Sequence, residues 1–279
     1  MIERFFFMIQ GRGYVIKSHN SRYTKFRLLL QSFFLTISAP FLDIIGIKGI
    51  NVGHGLTLYG FNASFINGLF HENRIHNEYF FKSTNTNPII IDAGSNIGDS
   101  MLYFKYLYPE STIYCFEPDH TTFQYLKKNI INNKLSNVFA EEKALGGVKK
   151  TIEFYFDEKP SYTHSTKKGR MVKNKKIIEC VGIIDLIKNK KIDLLKLDIE
   201  GAELEVIESI NTHKLFNNID QIILEYHHNI EGESSILGSF LSILEMNGYN
   251  YQIQSNCFPM NQKNKYQDVH IFAYKQQKI

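Results

Sequence analysis

Asp92, Gly94, Ser95, Asn96 and Gly98 stand close together in the stretch IIIDAGSNIGDS (89–100), where a run of isoleucines meets two glycines and a polar segment. A strand that turns sharply on glycines lets the backbone approach a nucleotide-like ligand with no Cβ in the way. In an open parallel sheet such ligands bind beyond the carboxyl ends of the strands, where the strand order reverses. Glu117, at the end of TIYCF, is placed to accept hydrogen bonds from both hydroxyls of a ribose. Asp92 can position the glycine turn or reach a ligand ammonium. A dinucleotide fingerprint needs a further glycine so that a pyrophosphate can sit on the helix N-terminus. Here Asn96 stands at the middle position and Asp99 brings negative charge to the place of the phosphates. That disfavours a nicotinamide cofactor, and with it an oxidoreductase. A ligand with a ribose, an adenine, a sulfonium and an amino-acid end fits better, which describes S-adenosyl-L-methionine.

The elements that must hold these residues are legible from Pro88 onward, where short β-rich runs alternate with helical patterns. Such alternation reads as a parallel sheet covered by helices. PIIID is a continuous apolar run, as a strand buried on both faces requires. TIYCF and NVFA follow as strands, with Phe123, Leu126 and Ile130 on one face of the helix between them, started by Pro118 and Asp119. TIEFYF alternates, so one of its faces is expected to be wetter. IDLLKLD and QIILEY each lead into a helix, and Gly248 closes the second of these. YNYQIQ and VHIFAY read as a terminal hairpin. Between strands lies KPSYTHSTKKGRMVKNKK, with Lys167, Lys168, Arg170, Lys173, Lys175 and Lys176. It reads as a solvated loop, or else as a basic lip for an anionic substrate in which Tyr162, Thr163, His164 and Ser165 could close over the acceptor.

From about Pro88 to Tyr251 the sequence resembles the FkbM family of S-adenosylmethionine-dependent methyltransferases. The matching blocks are IIIDAGSNIGDS, YCFEPDHTTFQYLKKNIINN, EKALGG, IDLLKLDIEGAELEVIESI and IILEYHH followed by NGY, and KLDIEGAE is the most specific of them. The resemblance implies an α/β fold, the class I (Rossmann-like) methyltransferase sandwich. Its sheet is seven-stranded and mostly parallel with an antiparallel C-terminal hairpin, here preceded by an N-terminal extension. It implies a methyltransferase domain over 87–279 and an extension over 1–86. It further implies that Asp92, Gly94, Ser95, Asn96 and Gly98 line the methionine end of the donor and that Glu117, beside Pro118, holds the ribose. Ala144 would flank the adenine and Asp198 would stand at the reacting end. Members methylate hydroxyl oxygens in sugars, glycans and related products, so the expected acceptor is a small-molecule or glycan hydroxyl.

Methyl transfer is an in-line displacement at a carbon already activated, so positioning carries much of the catalysis. A hydroxyl acceptor, un-ionised at neutral pH, gains from a general base as the new bond forms. Asp198, Glu200, Glu225 and His227 lie where such a base belongs, and His227 has the best intrinsic pKa for it. Asp198 and Glu200 could instead stabilise the N-terminus of the next helix, a reading that weighs more for Glu200 than for Asp198. Glu203 reads as structural, paired with Lys196, whose charge is odd in so apolar a strand. A divalent metal at Asp198, Glu225 and His227 has no local ligand spacing behind it, and none is expected.

The bulk properties agree with a globular enzyme. The 279 residues are 43% hydrophobic and 22% charged, with a net charge of +4 that is too mild to indicate nucleic acid. A protein or nucleic-acid acceptor would rest on the lysine cluster alone. Cys115, Cys180 and Cys257 match neither a zinc spacing nor a disulfide framework, and a cytoplasmic location is expected. Residues 26–47 are strongly apolar and follow Arg12, Lys17, Arg22, Lys25 and Arg27. They do not read as a cleaved signal peptide. Pro40 and Asp43 are expected to interrupt the run short of a membrane span. Packing against the core is the first expectation for this segment, peripheral contact with a membrane surface the second and a membrane span the last. The second also admits a membrane-binding module on a catalytically inactive fold.

Overall fold

The computed structural model describes Val15 and residues 21–156, 174–228, 236–255 and 267–275. The calls on Tyr162, Thr163, His164, Ser165, Lys167, Lys168, Arg170, Lys173 and Cys257 lie outside the described residues. The contacts divide the chain into two units. An N-terminal unit takes Met1–Lys82, Asn96–Pro109 and Gln124–Ser136, and a sheet unit takes the rest.

The sheet unit is built on seven strands: β3 (Ile89–Ala93), β4 (Thr112–Phe116), β5 (Val138–Glu141), β9 (Ile192–Leu197), β10 (Ile219–His228), β11 (Tyr249–Ser255) and β12 (Gln267–Lys275). Their order is β11-β12-β10-β9-β3-β4-β5. The five strands from β10 to β5 run parallel, β12 is antiparallel to β10, and β11 pairs antiparallel with β12. The expected terminal hairpin is therefore present. The order reverses between β3 and β9, because the chain runs outward from β3 through β4 to β5 and only then returns to β9. Ile90, Ile91, Leu194, Leu195, Ile222 and Leu224 are buried, as parallel strands covered by helices demand. Helices α5 (Ile183–Ile187), α6 (Glu203–Thr212) and α7 (Leu237–Met246) pack in one apolar cluster with the strands, through Ile183, Ile207, Ile210, Phe240 and Leu244. Gly248, at φ +77°, closes α7 in the left-handed region that glycine tolerates.

A second sheet in this unit, order β6-β8-β7, joins β6 (Ala144–Gly146), β7 (Lys150–Phe156) and β8 (Asn174–Gly182). TIEFYF is β7, with Thr151 and Glu153 exposed and Phe154 buried, the alternation expected of it. The lysine-rich stretch is corrected at its end. Lys175 and Lys176 are not in a loop but in β8, opposite Tyr155 and Phe154 of β7. Lys175 pairs with Glu153 at 2.6 Å, and the Lys176 ammonium lies over the Phe154 ring.

In the N-terminal unit, α1 (Arg22–Ile44) is followed by the hairpin β1 (Gly49–Gly53) and β2 (Leu56–Tyr59), by α2 (Ala63–Phe70) and by a π-helical turn over His71–His76. Helix α1 continues through Pro40, contrary to expectation. Pro40 is exposed and lies in the last turns, so the lost N–H bond falls where the neighbouring carbonyl reaches water. Nor is the apolar run buried as first expected, since only Ser32, Leu35 and Ala39 of α1 are. Helix α3 (Asp99–Leu107) and most of α4 (His120–Asn132) also belong to this unit. Two amides four residues apart, Asn129 of α4 and Asn133 just past its end, act as a partner for β2. Asn129 accepts the Tyr59 N–H at 2.7 Å and donates to the Tyr59 carbonyl at 2.9 Å. Asn133 does the same for Thr57, at 2.7 and 2.8 Å.

Candidate functional site

In the sheet unit the site starts at the switch point, where β3 ends in Asp92 and Ala93 beside β9. Gly94 turns at φ +77°. The Phe116 carbonyl, closing β4, accepts the amides of both Gly94 and Ser95 at 3.0 Å. Ser95 Oγ donates back to the Asp92 carbonyl at 2.7 Å. The turn is thereby fixed from inside and from its neighbouring strand. Beyond it, Asn96 takes φ +49° with its side-chain oxygen accepting the Ile97 amide, a left-handed conformation asparagine supports. Gly98 follows at φ +91° and opens α3. Asp99, the next residue, belongs with Asn96 and Gly98 to the N-terminal unit and accepts a hydrogen bond from Asn73 of that same unit.

Lys196, noted in the sequence as odd, organises the other side. It is 1% exposed in the interior of β9, opposite Asp92. Its ammonium donates to the Gly94 carbonyl at 2.6 Å and sits 3.5 Å from Asp92 and 3.2 Å from Asp198. A buried ammonium is tolerable only with opposite charge and hydrogen bonds around it, and here two carboxylates and a carbonyl supply them. Asp92 is thus tied to the turn through Lys196, the first of the two roles expected of it. Glu203 does not need Lys196: its carboxylate accepts the amides of Ile199 and Gly201 at 3.0–3.1 Å and fixes the turn after β9. Glu200 sits in that turn at φ +57°.

Glu117 lies just past β4 and is buried. Its Oε1 accepts the Asp119 amide at 2.8 Å, which holds the carboxylate in a set orientation. Asp119 caps α4, accepting the Thr122 amide and hydroxyl at 2.9 Å, and the Pro118 carbonyl accepts from Lys176 at 3.1 Å. Ala144 begins β6, buried and opposite Cys180.

The far side of the site is Glu225 of β10. The register sets it opposite His270 of β12, and its Oε1 is 3.5 Å from His270 Nε2. Burial, reinforced by the Asp198 charge, pushes the Glu225 carboxyl up to about 8, with His270 opposing the rise. The backbone of His227 pairs with Asp268, while its side chain lies outside the described residues. His270 and Asp268 were not anticipated, since their meeting with β10 depends on strand pairing across a distant hairpin. Among the described residues, no three His, Cys, Asp or Glu converge as a metal would require.

The structure thus gathers Asp92, Gly94, Ser95, Asp198 and Glu225 around the β3–β9 junction, with Glu117 at the end of adjacent β4. Comparison with known proteins gives the frame. The Methyltransferase FkbM domain matches residues 92–252, more than half of the chain. The chain belongs to the FkbM methyltransferase family. Its sheet order, with β12 reversed, is the class I methyltransferase arrangement. It is similar to Methyltransferase sdnD of Sordaria araneosa, 30% identical over 159 residues, covering 45% of this chain and 61% of that protein. It is also similar to Methyltransferase 1 of Beauveria bassiana (strain ARSEF 2860), 28% identical over 160 residues, covering 49% and 63%. The matches span about three-fifths of the length of these relatives. Among solved structures, Methyltransferase FkbM from Methylobacillus flagellatus KT is 14% identical, covers 87% of this chain and 60% of that one, and has a TM-score of 0.46.

Proposed function

We propose that this FkbM-family chain transfers a methyl group from S-adenosylmethionine to a hydroxyl oxygen of a sugar, glycan or related small molecule. The observation that supports a hydroxyl acceptor is the Glu225 carboxylate, set opposite His270 with its Oε1 3.5 Å from His270 Nε2, its carboxyl pushed up by burial and by Asp198.

The residues fit the donor. A carboxylate such as Glu117, oriented by the Asp119 amide, offers two acceptor oxygens to a ribose diol. Asp92 and Asp198 surround one ammonium, which suits a cationic ligand end. Gly94 keeps the turn close to its neighbours, with Asn96 and Gly98 continuing it, and Ala144 is the expected adenine neighbour. When bound, the donor would supply a methyl group on a sulfonium, the acceptor oxygen bonding to that carbon as the carbon–sulfur bond breaks and a neutral thioether leaves.

The chain's own part is to hold the acceptor oxygen in line and to accept its proton. Glu225 receives that proton on its carboxylate, and His270 positions the carboxylate from β12. Asp198 raises the proton affinity of Glu225 by its charge. His227 remains a second proton acceptor to be weighed by substitution.

The test is calorimetric titration with S-adenosylmethionine and, separately, NAD, followed by incubation of a cell extract with methyl-labelled donor. Heat with the first ligand alone and label in a product stable to ester hydrolysis are expected. Label in protein or nucleic acid, or heat with NAD only, would overturn the proposal.

A further inference from the structure

A surface helix ordinarily turns its apolar stripe inward and its polar face to water. In α1 the inward side is mixed: Leu35 and Ala39 are buried, and polar side chains beside them make fixed contacts. Gln31 donates to the Asn51 carbonyl of β1. Ser32 and Thr36 share hydrogen bonds with His71 Nε2 at 3.1 and 3.2 Å. Asp43 accepts the amides of Ala63 and Ser64, at the start of α2, at 2.6 and 3.1 Å. Ser32, Thr36 and Asp43 are spaced by four and seven positions, with Gln31 beside Ser32, and fix one side of α1 within the N-terminal unit.

The other side is apolar and open. Phe26 is 60% exposed, Phe34 63%, Ile37 63%, Phe41 62% and Ile44 83%. Their spacing gathers them into one stripe along the helix. Apolar patches larger than roughly a few hundred Å² on a soluble surface mark a contact with protein or membrane. Charge decides between these. The one acidic residue of α1, Asp43, is in the inward strip, while Arg22 and Arg27 are exposed at one end and Lys48 just past the other. Two copies of α1, packed in either direction, would bring basic ends together. An anionic surface neutralises both ends.

We propose that α1 lies flat on an anionic bilayer, its stripe in the acyl boundary and its basic residues among the headgroups. Length and composition alone would let α1 cross a membrane. A crossing would carry Gln31, Ser32, Thr36, Asp43 and the backbone groups they bind into hydrocarbon, which is strongly unfavourable.

The experiment is co-sedimentation of the full chain with vesicles of phosphatidylcholine alone and of phosphatidylcholine with phosphatidylserine. Binding roughly 100-fold tighter to the mixed vesicles is expected. The variant Phe34→Glu/Ile37→Glu/Phe41→Glu should lose about 100-fold of that binding while keeping its thermal midpoint. Failure of the wild type to bind mixed vesicles, or equal binding by the variant, would refute the proposal. So would a lipid-free dimer, seen by analytical ultracentrifugation, that the variant makes monomeric, because a second copy would then cover the stripe.

Discussion

A Cβ on Gly94 would overlap the carbonyl oxygen of Asp198, whose carbonyl carbon is 2.8 Å from that position. Gly94 also holds φ +77°, a conformation that L side chains adopt at a cost. The obstacle is backbone, which cannot swing aside as a flexible side chain would. Gly94→Ala is predicted to destabilise the protein by about 3 kcal/mol and to abolish donor binding, read by urea denaturation and calorimetry. Gly98→Ala meets Leu126 Cδ1 at 2.7 Å and Met101 Cε at 3.0 Å, the ends of flexible side chains. Its smaller cost is the check, since equal losses at both positions would contradict the backbone argument.

Lys196→Met should be among the most damaging single changes. It leaves Asp92 and Asp198 without the ammonium that sits 3.5 and 3.2 Å from them and removes the donor to the Gly94 carbonyl. Breaking a buried ion pair from one side costs about 3–5 kcal/mol. Adding Asp92→Asn to Lys196→Met should recover part of the loss, because one uncompensated charge is then gone. A double variant no more stable than the single would argue that Lys196 acts through packing alone.

How much of this arrangement the sequence discloses depends on where each partner lies. The strand before the glycine turn is legible because Ile89, Ile90 and Ile91 are continuous, and the charge of Lys196 stands out against Leu194, Leu195 and Leu197. Strand β8 is hidden because one face is wet, with Lys175, Ile177 and Glu179 exposed, and Lys176 puts a half-buried charge on the other, so its composition reads as a solvated loop. Asn129 and Asn133 resemble ordinary exposed helix residues until the strand they bind is known. The Glu225–His270 pair requires the register of two strands far apart in the chain, which no local pattern encodes.

Glu117→Ala should separate donor binding from folding. The substitution removes the acceptor of the Asp119 amide, a cost of about 1–2 kcal/mol. If Glu117 also holds the ribose, affinity for S-adenosylmethionine should fall by roughly 100-fold, more than the stability change accounts for. Glu117→Gln keeps one acceptor oxygen and should lose less of both. Unchanged affinity in Glu117→Ala would remove the residue from the donor site.

Asn129→Ala tests the amide ladder along β2. It strips the partner from the Tyr59 N–H and carbonyl, and from the Ile97 carbonyl bonded at 2.8 Å. Unsatisfied buried polar groups cost about 1–3 kcal/mol each when water cannot reach them, and water at the strand edge should spare part of this. A loss of about 2–3 kcal/mol by thermal denaturation is expected, together with faster hydrogen exchange at Tyr59. Unaltered exchange there would show that β2 is held by other means.

The pH dependence follows from Glu225. Its carboxyl is raised from an ordinary 4.5 to about 8 by burial and by Asp198. Below pH 4.5 the folded and unfolded chains both carry the proton, and between about 4.5 and 8 only the folded chain does. This group's contribution to stability therefore declines as pH rises through that window, by at most about 1.4 kcal/mol per unit, and levels off above it. Glu225→Gln removes the decline, so the variant should gain on the wild type steadily from pH 5 to pH 8. Turnover should move the opposite way. The wild-type rate should climb toward pH 8 as Glu225 loses its proton, and Glu225→Gln should flatten that limb and lower the rate by about 10²–10⁴ with donor affinity retained. Removing the partner in His270→Asn should shift the limb to higher pH, because the histidine opposes the rise in Glu225. A limb that survives in Glu225→Gln but disappears in His227→Asn would transfer the role of base to His227.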